Sequence, residues 1–234
     1  MNTVYKDCRK NNTSAIIRYI SDYPEFDINS CNCFGDTLLT IACKNNNIDL
    51  VKFLLEQPKI DMNKYNSNQE TPLYKACQYE YIDLIKLLLA DDKINVNLKN
   101  SRYDNEPLSE TAFFAATIAS DENRLEIIKI LLDDPRIDIN EPDCTGLTPL
   151  SMLCSDIYCP ESIELLLDDP RTDIFKSTNN GFTVFHSLCT YHCVQSTNDN
   201  NINSYMKIIQ RLLENQHINV NSSTVYGALS TCPL

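Results

Sequence analysis

The chain has 234 residues, 43% of them hydrophobic and 22% charged, which supplies a real core for one or two domains and excludes disorder as a whole. Thirty-two Asp and Glu against 20 Lys and Arg leave a net charge of -12, the wrong sign for neutralising phosphates, so nucleic acid and membrane surfaces are not expected partners. No stretch approaches the roughly 18 uninterrupted apolar residues of a membrane span, and the start from Met1 to Asp7 has no apolar signal core, which predicts a cytoplasmic chain, with the nucleus as the second compartment, and reduced thiols in spite of its 11 cysteines.

Taken in order, the segments repeat. Asp27-Ile28-Asn29 returns as Asp61-Met62-Asn63, Asn95-Val96-Asn97, Asp138-Ile139-Asn140, Asp173-Ile174-Phe175 and Asn219-Val220-Asn221, at steps of 34, 34, 43, 35 and 46 residues. The same phase aligns Leu54-Leu55, Leu88-Leu89, Leu131-Leu132, Leu166-Leu167 and Leu212-Leu213, and also Thr37, Thr71, Thr111, Thr148 and Thr183. Each of the four glycines stands six residues after the last residue of a triplet, a position that predicts positive φ in a tight turn.

Within one unit, Thr followed by Pro, as in Thr71-Pro72 and Thr148-Pro149, predicts the N-cap and first turn of a short helix. A polar break such as Asn45-Asn46-Asn47 ends it. A second helix follows, with apolar residues at Ile48, Leu50, Val51, Phe53, Leu54 and Leu55, an arc wide enough to be buried on more than one side. Pro24, Pro58, Pro135 and Pro170 then stop the second helices. A helix pair of this size cannot bury its own leucines, so the units must stack into one continuous core.

Six such units are expected, at about residues 1–28, 29–62, 63–96, 97–139, 140–174 and 175–220, with 221–234 an incomplete seventh, all in a single domain spanning 1–234. The polar first helix of the first unit suits a capping repeat. Two insertions stand out: Leu98 to Glu110 lengthens a hairpin tip, and an Asn/Ser/Thr-rich insert from Thr190 to Ser204 is expected as a flexible loop without bound metal.

Thr71-Pro72-Leu73-Tyr74-Lys75-Ala76-Cys77, Thr148-Pro149-Leu150 and Thr183-Val184-Phe185-His186, each followed by paired leucines and an Asp-x-Asn triplet, resemble the ankyrin repeat. The chain uses Pro-x-Ile-Asp where that family commonly has Gly-Ala-Asp, one residue longer, which accounts for a 34-residue period. The resemblance implies a mainly α fold, an ankyrin-type solenoid of stacked helix pairs joined by β-hairpin-like turns.

His186, Cys189, His192 and Cys193 have spacing that could share a Zn²⁺. The resemblance instead gives His186 hydrogen bonds within the hairpin and helix, and Cys189 shares its phase with Cys43, Cys77 and Cys154, a small buried position. No catalytic residue, metal or cofactor is therefore expected. The acid pairs Asp91-Asp92, Asp133-Asp134 and Asp168-Asp169 end second helices and are expected as a solvated edge.

The resemblance also implies protein binding on the concave face formed by hairpin tips and first helices. Phase-matched positions are Phe34, Asp36, Asn45, Asn68, Glu70, Gln78, Tyr79, Leu147, Asp156, Asn180, Phe182 and Tyr191, with the aromatics as anchors. The expected function is a monomeric, non-enzymatic scaffold or adaptor, and the net charge points to a partner with a basic surface. Two alternatives stand beside it: a regulatory or targeting module of a larger enzyme or ubiquitin-ligase system, and a metal-stabilised sensor.

Overall fold

A computed structural model describes residues 2–100, 109–155, 159–192 and 199–214. They contain twelve helices: α1 (Asn2–Arg9), α2 (Thr13–Asp22), α3 (Leu38–Lys44), α4 (Ile48–Leu55), α5 (Pro72–Gln78), α6 (Ile82–Leu89), α7 (Ala112–Thr117), α8 (Asp121–Leu132), α9 (Pro149–Cys154), α10 (Pro160–Asp168), α11 (Val184–His192) and α12 (Asp199–Glu214). Each odd-numbered helix packs on the even-numbered helix that follows it. The odd helices stack on one another as one layer and the even helices as a second. The fold is the mainly helical ankyrin-type solenoid that the repeat implied, with no strand among the described residues.

Local chemistry sets the start of each first helix. The hydroxyls of Thr37, Thr71, Thr111 and Thr148 accept hydrogen bonds from the N–H groups of Thr40, Tyr74, Phe114 and Ser151, and Pro72 and Pro149 occupy the first turn. Such caps contribute about 1 kcal/mol each. Asn11, Asn46 and Glu80 then turn the chain with φ of 56°, 51° and 61°, and Asn12 and Asn47 cap α2 and α4. The second helices bury Leu50, Val51 and Leu54, then Leu84, Ile85 and Leu88, then Ile127, Ile128 and Leu131, in one core that runs through the stack.

The hairpins are turns closed by backbone bonds, from Asn32 N–H to Asp36 O, Asn66 N–H to Glu70 O, Asp143 N–H to Leu147 O and Thr178 N–H to Phe182 O. Gly35, Gly146 and Gly181 have φ of 72°, 83° and 80°, and in the third unit Gln69 takes the equivalent place with φ 56°. A Cβ on Gly35 would stand 2.4 Å from Ser67 N of the neighbouring tip, so this turn needs glycine for space as well as for φ. Gly227 lies outside the described residues. The insertion between Leu98 and Glu110 hangs on the same frame, because Asn100 N–H donates to Glu110 O at 2.9 Å; residues 101–108 lie outside the description.

The expected loop from Thr190 to Ser204 needs correction. Thr190–His192 continue α11, and Asp199–Ser204 form the first turns of α12, a helix of 16 residues against eight in α4. Tyr205, Ile208 and Leu212 are buried at helical spacing, and that anchored stripe lets the helix propagate into the Asn-rich segment before it. Residues 193–198 lie outside the description.

Candidate protein-interaction face

The triplet asparagines hold the units in register. Asn29, Asn63, Asn97 and Asn140 each use both ends of one amide: Nδ2 donates to the carbonyl of Lys59, Lys93, Arg136 or Arg171, and Oδ1 accepts from the N–H of Asp61, Asn95, Asp138 or Asp173. The eight distances run from 2.6 to 3.0 Å. The recurrence of the triplet was visible in the sequence. Its inter-unit bonding was not, because the acceptor lies 30 to 39 residues away. Phe175 stands where the sixth unit would have this asparagine.

The structure removes two expected site residues from the surface. Asp36 and Glu70 are only 6% and 2% exposed. Lys44 Nζ donates to Asp36 at 2.6 Å and Lys75 Nζ to Glu70 at 2.7 Å, while Asn66 Nδ2 bridges both carboxylates at 3.1 and 2.9 Å. These acids precede the capping threonines and turn inward between neighbouring hairpins, where buried charge must be paired. Gln78 belongs to the same network, accepting from Lys75 Nζ at 2.8 Å. Asn45, half-buried, donates from Nδ2 to Cys8 O at 3.1 Å.

Other expected residues do reach solvent. Phe34 is 58% exposed and Tyr79 44%. The Arg9 guanidinium stands 5.2 Å from the Phe34 ring centre, and Lys75 Nζ stands 5.4 Å from that of Tyr79. Asn68 and Asn180 are exposed at hairpin tips, and Leu147 is half-buried. Phe182 is half-buried with its ring 5.6 Å from that of His186, so it is partly committed to internal packing. Tyr191 falls in α11, with its side chain outside the description, and Asp156 lies outside the described residues.

The acids lie mostly elsewhere. Among the odd helices the only carboxylate is Asp7, against Lys6, Arg9, Lys44 and Lys75, whereas each even helix carries at least one acid. Net charge carries no position, and the first helices do not hold the acids on which the expectation of a basic partner rested. The acidic edge is also partly neutralised from within. Arg136 pairs with Asp134 and donates to Leu89 O, both at 2.7–2.8 Å, and Arg171 repeats this on Asp169 and Leu132 O. The arginine hydrogen bond, which outweighs burial, holds each aspartate below its ordinary range. At Glu80 burial pushes the carboxyl up, but hydrogen bonds from the Ser120 hydroxyl, the Asn123 amide and Ser120 N–H, with Arg124 nearby, bring it below normal. These clamps reach carbonyls and termini of adjacent units, which no local reading of Pro-Arg or of Glu80 could reveal.

Cys43, Cys77 and Cys154 are buried at the phase expected of them, and burial pushes their thiols up, as it pushes Cys8 up to about 12. That is the reverse of nucleophile activation. His186 Nδ1 accepts from Thr183 N–H at 3.2 Å and lies 2.8 Å from Thr183 Oγ1, the hairpin and helix bonding expected at this position. The side chains of Cys189 and His192, and all of Cys193, lie outside the description.

Residues 6–100 match the family model described as ankyrin repeats, in three copies. No curated protein matches the chain. Among solved structures, the chain is similar to one in the structure of the Bd0816 predatory endopeptidase from Bdellovibrio bacteriovorus in complex with immunity protein Bd3460, with TM-score 0.70 and 19% identity over 88% of this chain and 98% of that one. It is similar to EF0377, an ankyrin repeat protein, with TM-score 0.69 and 21% identity over 90% and 96%. It is also similar to the ankyrin repeat domain of Bcl-3, a member of the IkappaB protein family, with TM-score 0.73 and 16% identity over 96% and 90%. The repeat phase, the two stacked helix layers and these likenesses agree: residues 6–100 carry ankyrin repeats, and the fold of the described residues is that of ankyrin repeat solenoids.

Proposed function

We propose that the chain is a non-enzymatic adaptor that binds a protein partner on the face made by the first helices and hairpin tips. The observation that carries this is the exposure of Phe34 and Tyr79 on a layer whose core is complete without them. Large aromatics left in water next to a rigid stack are the usual anchors of an interface. Rigidity comes from the asparagine and arginine clamps, so little ordering opposes binding. We place this activity in the cytoplasm or nucleus, with the protein acting as a monomer; among the described residues no helix is long and apolar enough to cross a membrane. The net charge favours a basic partner only on the second-helix side, where the acids are.

The test places a photo-crosslinking phenylalanine analogue at Tyr79, at Phe34 or, as a control, at the exposed Asp83 of α6, in the native cell. A discrete protein adduct at Tyr79 and Phe34 with none at Asp83 is expected. Adducts formed at Asp83 alone would move the binding face to the second-helix layer.

A further inference from the structure

The charge on the face of the first three helix pairs differs in sign from the charge of the molecule. Arg9 and Lys10 immediately precede Asn11, just as Lys44 and Asn45 precede Asn46 and Gln78 and Tyr79 precede Glu80, and those three following residues all have positive φ. The shared turn puts the three pairs at equivalent places, the ends of the stacked helices α1, α3 and α5. Lys6, Arg9 and Lys10 are exposed, and none of them makes an ion pair among the described residues. The hairpin acids that could have balanced them, Asp36 and Glu70, are buried and already joined to Lys44 and Lys75. Phe34 lies within cation–π distance of Arg9, and Tyr79 stands farther along the same layer.

We infer, resting on the adaptor reading above, that the partner segment bound across α1, α3 and α5 is an acidic stretch of a protein. Its carboxylates sit against Lys6, Arg9 and Lys10, and an apolar side chain sits between Phe34 and Tyr79. Guanidinium and carboxylate form charge-assisted, often bidentate bonds, and the aromatic ring beneath Arg9 pre-orients its planar group for them. The net charge of -12 does not forbid this. At physiological ionic strength screening acts over about 8 Å, and packed helix axes are themselves about 8–10 Å apart, so acids on the second-helix layer are damped at the first-helix surface. Local complementarity then decides the partner's sign.

The experiment pans a displayed library of random dodecapeptides on the full chain near physiological salt. Binding of the enriched peptides is then measured to the parent chain, to Arg9→Glu/Lys10→Glu, to the milder Arg9→Gln/Lys10→Gln and to Lys52→Glu on α4. Circular dichroism confirms that each variant is folded. Enriched peptides should be net acidic and carry an aromatic or aliphatic residue; affinity should fall by about 10-fold or more with the double glutamate, less with the double glutamine, and little with Lys52→Glu. Enrichment of basic or neutral peptides, enrichment of none, or acidic peptides indifferent to Arg9 and Lys10, each overturns the inference. If basic peptides are enriched and are lost on Phe34→Ala/Tyr79→Ala, the adaptor reading stands and only the acidic segment falls; indifference to every one of these substitutions removes both.

Discussion

Gly35 and Gln69 occupy the same turn position in successive units, both with positive φ, yet only Gly35 has a neighbouring backbone nitrogen where its Cβ would be. Substitutions at the two sites should therefore have opposite signs. Gly35→Ala forces an L-residue into the left-handed region and drives its methyl into Ser67 N, which should cost at least about 1–2 kcal/mol. Gln69→Gly relieves the φ cost at an exposed tip and should be neutral or stabilising by up to about 1 kcal/mol. Urea denaturation of both variants checks this; a loss at Gln69→Gly as large as that at Gly35→Ala would remove the steric explanation. The glycine phase was legible in the sequence because φ is a local property. The Ser67 contact was not, because it depends on how two tips approach each other.

Helix α6 shows why the paired leucines recur. Leu88 is fully buried in α6, a helix that packs between α4 and α8, and Leu89 is only half-buried. Leu88→Ala should destabilise the stack by about 2–5 kcal/mol, the range for truncating a leucine in a packed core. A thermal or urea shift corresponding to less than about half a kcal/mol would mean the helices do not pack as described. Elements with a side-chain cap, such as α4 and α5, or with strong apolar periodicity, such as α6, could be placed from the sequence. The beginning of α12 could not: Asp199 to Asn203 is polar in composition, and its helical state follows from the anchoring of Tyr205 and Ile208 farther on.

Across the whole molecule, carboxylates of one unit or loop join groups of another. Glu80 caps the start of α8, and Asp134 and Asp169 orient arginines that reach the preceding unit. All three carboxyls are held below their ordinary range in the folded state. The linked stability is therefore fully present above the unfolded carboxyl pKa, about 4, and is lost as pH falls through the depressed folded values. Tm should stay level between about pH 5 and 7 and drop below about pH 4, with a shallower drop in Glu80→Gln and Asp134→Asn. An acid limb identical in these variants and the parent would show that the clamps are not its source.

The sequence by itself determined the repeat, its helix caps and turns, and the leucine core, because each of these is written in residues a few positions apart and repeated several times. The tertiary structure alone decided which polar residues are left in solvent and which are enclosed. Asp36 and Phe34 are two positions apart on one hairpin, yet one is buried against Lys44 and the other stands in water. Their separation depends on the side chains of the next unit, Asn66 above all, which enclose the first and leave the second uncovered. Charge behaves in the same way: a sum over the chain has no direction, and only the stacking of helices assigns most of the acids to the second layer and its loops and leaves Lys6, Arg9 and Lys10 at the edge of the first.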